Sequence, residues 1–258
     1  MKKVAVISLI MSSLLLGGCN FDQYTYGEAY KYQALTETLE FDYNTNEIDY
    51  LNIDWIKGEI VIEDNEDPYK VTISAGETDY PAYYYLDKDG NTLDIKYVAN
   101  HTPNSVLETL SKNLTISVGK KNPLYKLALN LVSTTAKFYN TSGPRYLDIN
   151  CVDATILGVD MYAGYGLNIN SVSSVIEIEK LAKYSDESYI NSLYVKLNLV
   201  DTAFTVGILE EDGYHIEKQS LIDCEIKVNG LTEKENFAGF IFDIVAISGK
   251  ITINKVEL

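Results

Sequence analysis

From about residue 47 onward, apolar and polar side chains alternate along the chain with a period of two. In Leu51–Ile62 the apolar residues stand at every second position on either side of Gly58, which interrupts the pattern once. Such alternation places successive side chains on opposite faces of a β-strand. Turn-forming segments such as Asp64–Pro68 separate one strand from the next. The pattern therefore predicts an all-β protein.

The second half of the chain carries an internal repeat. Short segments of alternating apolar residues recur every 20 residues, and the interval lengthens to 26 and 29 where the polar stretches 183–188 and 210–214 intervene. These segments begin at Leu127, Leu147, Leu167, Leu193, Ile222 and Phe242. A repeat of this length holds three short strands, and stacked repeats bury a common column of apolar side chains. We predict a β-solenoid of stacked rungs, similar to a single-stranded β-helix, with a β-sandwich as the alternative.

The N-terminus has the features of an export signal. Lys2 and Lys3 precede an apolar stretch, Val4–Leu16, that is too short to span a bilayer as a helix. The sequence Leu16-Gly-Gly-Cys19 at its end resembles a bacterial lipobox, in which the signal is cut before the cysteine and a diacylglycerol is attached to the thiol. We expect lipid on Cys19 to anchor the protein to the outer face of a bacterial cell membrane.

This signal and the start of the alternation define the predicted domains. Residues 1–18 form the signal peptide, and residues 19–46 form a tether because they show little regular period. Residues 47–258 form the β-solenoid domain, with N-terminal strands in 47–118 and the repeat rungs in 119–258.

The charge balance excludes some partners. The chain has 37 acidic and 21 basic residues, a net charge of −16, and Arg145 is its single arginine. Nucleic-acid binding requires clustered basic side chains, so nucleic acid is excluded as a partner. Anionic membrane surfaces repel such a chain, which leaves the lipid on Cys19 as the predicted membrane contact.

No sequence motif for catalysis or metal binding is present. His101 and His215 have no ligand-type neighbours at metal spacing, and Asp87–Asn91 lacks the glycine and glutamate of a calcium loop, so we interpret it as a hairpin turn. We predict no catalytic residue, no metal and no cofactor, and a protein that is not an enzyme. Because 37 acids provide many carboxylate pairs, a polysaccharide-processing enzyme remains an alternative.

Cys151 and Cys224 occupy inward positions of the predicted rungs. They lie three rungs apart in the predicted stack, roughly 14 Å, which exceeds the reach of a disulfide. We therefore predict two buried free thiols, although a sandwich would allow them to bridge.

The tyrosines are the residues that favour binding. The chain contains 21 of them, and exposed tyrosines contact sugars and proteins at low entropic cost. The cluster Tyr80, Tyr83, Tyr84 and Tyr85 is the candidate ligand-binding site. Strand alternation directs part of this cluster into the core.

Several segments resemble the bacterial adhesin-like family known as DUF4097. They are Tyr24–Gly27, Leu51–Glu63, Leu93–Tyr97, Asn113–Val118 and Ser248–Ile253, of which the Ile-Asp-Trp-x-x-Gly-x-Ile-x-Ile part of the second is the most specific. The middle repeats depart from the family, because their turns mostly lack its Ser-Gly pairs. The resemblance implies an extracytoplasmic β-solenoid with an adhesin-like role and transfers no binding residues.

These observations combine into one hypothesis about function. We expect a lipid-anchored surface protein whose rigid acidic body binds glycans, cell wall or a surface protein without catalysis. The alternatives are the polysaccharide-processing enzyme and an envelope-stress or scaffold component that binds a membrane protein.

Overall fold

The computed structural model describes residues 31–44, 47–76, 81–87, 90–97, 110–121, 124–141, 143–183, 192–209, 213–234 and 239–256. Within these ranges it contains seventeen β-strands and no α-helix, which confirms the all-β prediction. None of these residues therefore belongs to an apolar helix of the length needed to cross a bilayer.

The strands follow one another along the chain in this order: β1 (Gln33–Ala34), β2 (Leu39–Asp42), β3 (Tyr50–Asp64), β4 (Lys70–Ala75), β5 (Tyr83–Asp87), β6 (Thr92–Lys96), β7 (Lys112–Val118), β8 (Lys126–Tyr139), β9 (Tyr146–Val152), β10 (Thr155–Ala163), β11 (Gly166–Val172), β12 (Val175–Ile178), β13 (Leu181–Lys183), β14 (Ser192–Val200), β15 (Ala203–Leu209), β16 (Tyr214–Asn229) and β17 (Gly239–Val256).

Eight of the described strands close into a parallel β-barrel. The first half of β8 pairs with β9 and the second half with β10. The series β9, β11, β14 and the series β10, β12, β15 continue from there, and both series lead to β17, which also pairs with β16. The predicted solenoid and the alternative sandwich are therefore both wrong. Strands β8 and β17 each pair with both series, and the repeat specifies such parallel neighbours without specifying whether the sheet closes on itself.

The 20-residue register holds only for the first repeats. Leu127 pairs with Leu147, which pairs with Leu167, but Leu167 then pairs with Val195 instead of Leu193. Strand β17 lies between β14 and β16, so chain order is not the spatial order. A period of two fits equally well after a shift of two residues, and the sequence pattern therefore does not distinguish these registers.

Sharp bends of the strands form a column that the sequence analysis missed. Eight described non-glycine residues have positive φ, and seven of them, with φ between 48° and 61°, lie at these bends. They are Lys57, Ser133, Asp153, Ser173, Asp201, Asp223 and Ser248. Aspartate, which occupies three of these positions, tolerates this conformation better than most residues. A small residue follows each one, and Thr134, Ala154, Ser174 and Thr202 among these are buried.

Two of these bends explain the segments that resemble the family. Gly58 has φ of 104°, and a Cβ there would collide with the backbone oxygen of Lys112. A Cβ at Gly249 would lie 2.6 Å from the backbone oxygen of Thr202. The middle bends carry Thr134 and similar small residues instead, which is why Ser-Gly pairs are absent there.

On the N-terminal side, β3 pairs in parallel with β6 and β7, and antiparallel strands extend the sheet outward. Strand β2 pairs with β4, and β1 pairs with β5. Both β1 and β2 lie within the predicted tether 19–46, and Leu35 and Phe41 are buried. This part of the chain therefore packs on the domain.

The core consists of the inward columns of the parallel strands. Leu51, Leu127, Leu147 and Leu167 belong to one such column and are at most 1% exposed. Cys151 and Cys224 are both free thiols, the first buried and the second half-buried. The register places them four strands apart, not three, because β17 intervenes. Burial raises the pKa of the Cys151 thiol.

Candidate functional site

Five of the described tyrosines form a row on one side of the barrel, where successive parallel strands begin. Tyr50 begins β3, Tyr125 precedes β8, Tyr146 begins β9, Tyr165 precedes β11, and Tyr194 lies near the start of β14. The register aligns them, because Tyr50 pairs with Lys126, which pairs with Tyr146, and Gly166 pairs with both Tyr146 and Tyr194. We call these five residues the tyrosine stripe.

The first four rings of the stripe, from Tyr50 to Tyr165, contact one another in sequence. The ring centroids are 5.4 Å apart for Tyr50 and Tyr125, 5.3 Å for Tyr125 and Tyr146, and 6.1 Å for Tyr146 and Tyr165. Tilted pairs at these distances are favourable. Tyr125 is nevertheless 41% exposed and Tyr194 54% exposed. The rings therefore hold one another in place while part of each ring faces solvent.

Gly166 provides space for the central ring of the stripe. A Cβ at Gly166 would lie 2.8 Å from Cδ1 of Tyr146, closer than real Cβ contacts allow. Glycine at this position therefore permits the Tyr146 ring to lie across the start of β11.

Charged and polar side chains lie beside the stripe. Lys126 forms an ion pair with Asp148 on the neighbouring strand, and Arg145, next to Tyr146, is exposed. Two residues further along each strand, the outward positions carry Asn52, Ala128, Asp148, Asn168 and Lys196, of which four are polar. The protein surface next to the rings is therefore mostly polar.

A ladder of asparagines runs parallel to the stripe on the same face. Each Nδ2 donates to the Oδ1 of the preceding member, at 2.7 Å from Asn198 to Asn170, 2.7 Å from Asn170 to Asn150 and 2.8 Å from Asn150 to Asn130. Asn130 in turn donates to Asp54 at 2.7 Å. We call Asn130, Asn150, Asn170 and Asn198 the asparagine ladder.

The candidate residues taken from the sequence lie elsewhere. Tyr83, Tyr84 and Tyr85 are half-buried on β5, outside the barrel. The hydroxyl of Tyr84 donates to Oε1 of Gln33 at 3.0 Å, and the Tyr84 side chain packs on the core. Tyr80 and Cys19 lie outside the described residues. A ligand site at Tyr80–Tyr85 stays a prediction. Tyr83, Tyr84 and Tyr85 are not part of the tyrosine stripe.

The stripe was missed because its members are far apart in the chain. The available signal is their constant position relative to the repeat: Tyr125, Tyr146 and Tyr165 each stand one or two residues before Leu127, Leu147 or Leu167. These equal positions before each leucine place the tyrosines side by side only if the strands are parallel and in register, and the register is known only from the structure.

A buried lysine pairs with Gly58 on β3, within the segment that resembles the family most specifically. Lys112 on β7 is 1% exposed, its ammonium donates to the backbone oxygen of Tyr97 at 3.2 Å, and it lies 5.4 Å from the centroid of that ring. The indole nitrogen of Trp55 donates to the backbone oxygen of Lys112 at 3.3 Å. Burial lowers the pKa of Lys112 to about 8 and raises the pKa of Tyr97 to about 12. This cluster is closed to solvent and belongs to the core.

The described residues include no group of three or more His, Cys, Asp or Glu side chains that could hold a metal ion. His215 lies 3.3 Å from Glu233, and His101 is outside the described ranges. Asp87 pairs with Thr92 at the end of an antiparallel hairpin, which confirms the turn predicted between them.

Comparison with known proteins gives similarity in structure alone. No family model matches the chain, and no curated protein matches it. A putative cell adhesion protein from Clostridium sporogenes is similar over 85% of this chain and 98% of its own, with 17% identity and a TM-score of 0.51. A putative adhesin from Bacteroides fragilis covers 86% of this chain and 98% of its own, at 11% identity and a TM-score of 0.40. The clostridial protein therefore shares the fold of this chain.

Proposed function

We propose that this protein is a lipid-anchored, extracytoplasmic binding protein of the adhesin-like type, related to the DUF4097 family, and that its binding surface is the tyrosine stripe. The observation that carries the proposal is the row of five partly exposed rings on consecutive strands. The name of the clostridial protein that shares the fold is consistent with this role.

The stripe has the properties of a binding surface. Tyrosine offers a large contact area with few rotatable bonds, so little side-chain entropy is lost when a ligand binds. The ring contacts between Tyr50, Tyr125, Tyr146 and Tyr165 restrict these side chains further. Such pre-organisation favours affinity because its entropic cost is met during folding. We propose no catalysis.

The proposed location depends on Cys19. The Leu16-Gly-Gly-Cys19 sequence supports lipidation, and acyl chains supply membrane affinity without help from the protein surface. The net charge of −16 would keep the body away from anionic headgroups and leave the stripe free for a ligand.

Binding by the stripe is tested with the mature protein on an array of glycans, peptidoglycan and host glycoproteins. The double variant Tyr125→Ala/Tyr146→Ala should lose saturable binding. The matched control is Tyr139→Ala, which removes a ring of similar exposure, 48%, that the stripe does not include. Equal binding by both variants contradicts the proposed site.

Anchoring is tested separately in cells. Cys19→Ser should abolish incorporation of labelled fatty acid and release the protein from the membrane fraction. If the variant remains lipid-labelled, Cys19 is not the modified residue.

A further inference from the structure

We infer that the tyrosine stripe binds an uncharged, extended polysaccharide chain that lies across the strands, with successive sugar rings on successive tyrosines. This inference rests on the proposed function and names the ligand class of the same site. It is carried by three features of the described surface: the period of the rings, the polar side chains beside them and the charge of the body.

The first feature is the regular period of the rings. Each of five neighbouring strands contributes one tyrosine, and neighbouring parallel strands are about 4.8 Å apart. The ring centroids are correspondingly 5.3 to 6.1 Å apart from Tyr50 to Tyr165. A ligand that satisfies such an array must present a similar apolar face at constant short intervals. A linear polysaccharide does so because its units repeat, whereas the surface of a folded protein has no such period.

The second feature is the polar character of the neighbouring column. About 7 Å along the strands from the stripe, the outward side chains include Asn52, Asp148 and Lys196. Amide, carboxylate and ammonium groups match hydroxyl groups, which both donate and accept hydrogen bonds. The centre of a protein–protein interface is depleted in charged side chains, so this composition favours a sugar over a protein partner.

The asparagine ladder extends this polar surface. Each ladder amide has two N–H groups and two acceptor positions on its oxygen. Within the ladder, Asn150 and Asn170 use one N–H and one acceptor position on each other and on their neighbours. One donor and one acceptor per strand therefore remain for hydroxyl groups of a wider chain or of a branch.

The third feature is charge. Lys126 is neutralised by Asp148, and the described cations Arg145, next to Tyr146, and Lys196, two residues after Tyr194, stand against a total charge of −16. Acidic polymers meet net repulsion from this body. This repulsion disfavours uronic-acid chains and also peptidoglycan, whose stem peptides carry carboxylates. An uncharged polysaccharide chain does not meet this electrostatic repulsion.

The test uses the full-length lipoprotein purified in detergent and neutral oligosaccharides of one to eight units from glucan, xylan, mannan and chitin series. Affinity measured by calorimetry should rise with length and level off at about five units, where one chain spans the five rings. Tyr146→Ala should weaken binding of a six-unit chain by roughly threefold to tenfold, the range given by the loss of one aromatic contact. Tyr139→Ala should leave the affinity unchanged, and circular dichroism checks that both variants are folded.

Three outcomes overturn the inference, and they differ from failure of the proposed function. Stripe-dependent binding to deglycosylated protein, to an acidic polysaccharide or to peptidoglycan, without binding to any neutral series, overturns the ligand class and leaves the binding surface in place. Neutral binding that does not change with chain length overturns the extended arrangement. Neutral binding that Tyr125→Ala/Tyr146→Ala leaves intact overturns both the inference and the proposed site.

Discussion

Asn170 donates a hydrogen bond from Nδ2 to Oδ1 of Asn150 at 2.7 Å, although the two residues are 20 positions apart in the chain. Asn170 also accepts a bond from Asn198 at 2.7 Å. The next outward residue on the same strand, Asn168, has a buried Oδ1 with no hydrogen-bond partner among the described residues. On this strand, the Oδ1 atom of Asn170 accepts a hydrogen bond, whereas that of Asn168 does not.

This difference predicts unequal costs of truncation. Asn170→Ala should lower the free energy of unfolding by about 1–2 kcal/mol, because two side-chain hydrogen bonds are lost. Asn168→Ala is the matched control and should cost less. Urea denaturation of both variants measures the difference, and equal losses would show that the ladder adds nothing to stability.

The bend at Gly58 predicts strong intolerance of a side chain. Gly58→Ala should lower the free energy of unfolding by about 3 kcal/mol, since φ is 104° and the new Cβ would meet the backbone of Lys112. Gly76→Ala is the control, because a Cβ there lies 3.8 Å from the nearest atom, the oxygen of Asn113. Thermal unfolding should show a large shift for the first variant and a small one for the second. Similar shifts would contradict the steric explanation.

Lys112 predicts a rise in stability at alkaline pH. The pKa of its ammonium is about 8 in the folded protein and 10.5 in its ordinary state. Between these values the unfolded chain binds more protons than the folded one, so the free energy of unfolding rises with pH. Below pH 8 the cost of burying the charge is fully present and amounts to about 3 kcal/mol at most. Tyr97, with its pKa raised to about 12, lowers stability only above pH 10, where the unfolded tyrosine ionises.

The variant Lys112→Met tests this assignment. It should remove the rise between pH 8 and 10 and should increase stability at pH 7, because an apolar side chain of similar length replaces a buried cation. Urea unfolding at pH 7, 8, 9 and 10 measures both effects. The same slope in the variant and the parent would show that another group titrates.

A substitution at Gly166 should disturb the tyrosine stripe without removing a ring. Gly166→Ala places a Cβ 2.8 Å from Cδ1 of Tyr146 and should rotate that ring. We expect weaker ligand binding by about threefold, with stability changed by less than about 1 kcal/mol. Gly76→Ala, which adds a Cβ at an ordinary contact distance outside the stripe, is the control for the glycine-to-alanine change. Unchanged affinity in a folded Gly166→Ala protein would show that the position of the Tyr146 ring is not important.

The fold class and the first repeats could be predicted because they depend on local chemistry. Alternation of period two dictates strands, and the equal spacing of Leu127, Leu147 and Leu167 corresponds to their direct pairing in the sheet. The hairpin at Asp87–Thr92 followed from turn residues in the same way. These features require no information about distant parts of the chain.

The tertiary structure decided the rest, for reasons of register and closure. The pairing of Leu167 with Val195 differs from the predicted one by two residues, a shift that leaves the apolar pattern unchanged. The place of β17 between β14 and β16, and its pairing with both β14 and β15, depend on contacts far apart in sequence.

The candidate site illustrates the same division. The sequence by itself indicated an acidic all-β chain rich in tyrosine, and it drew attention to Tyr83–Tyr85 because they are adjacent. The stripe exists only because parallel strands bring Tyr50, Tyr125, Tyr146 and Tyr165 to one side of the barrel at a spacing of one strand each. Residue types are local properties of a chain, whereas a row of rings across strands is a property of the register between them.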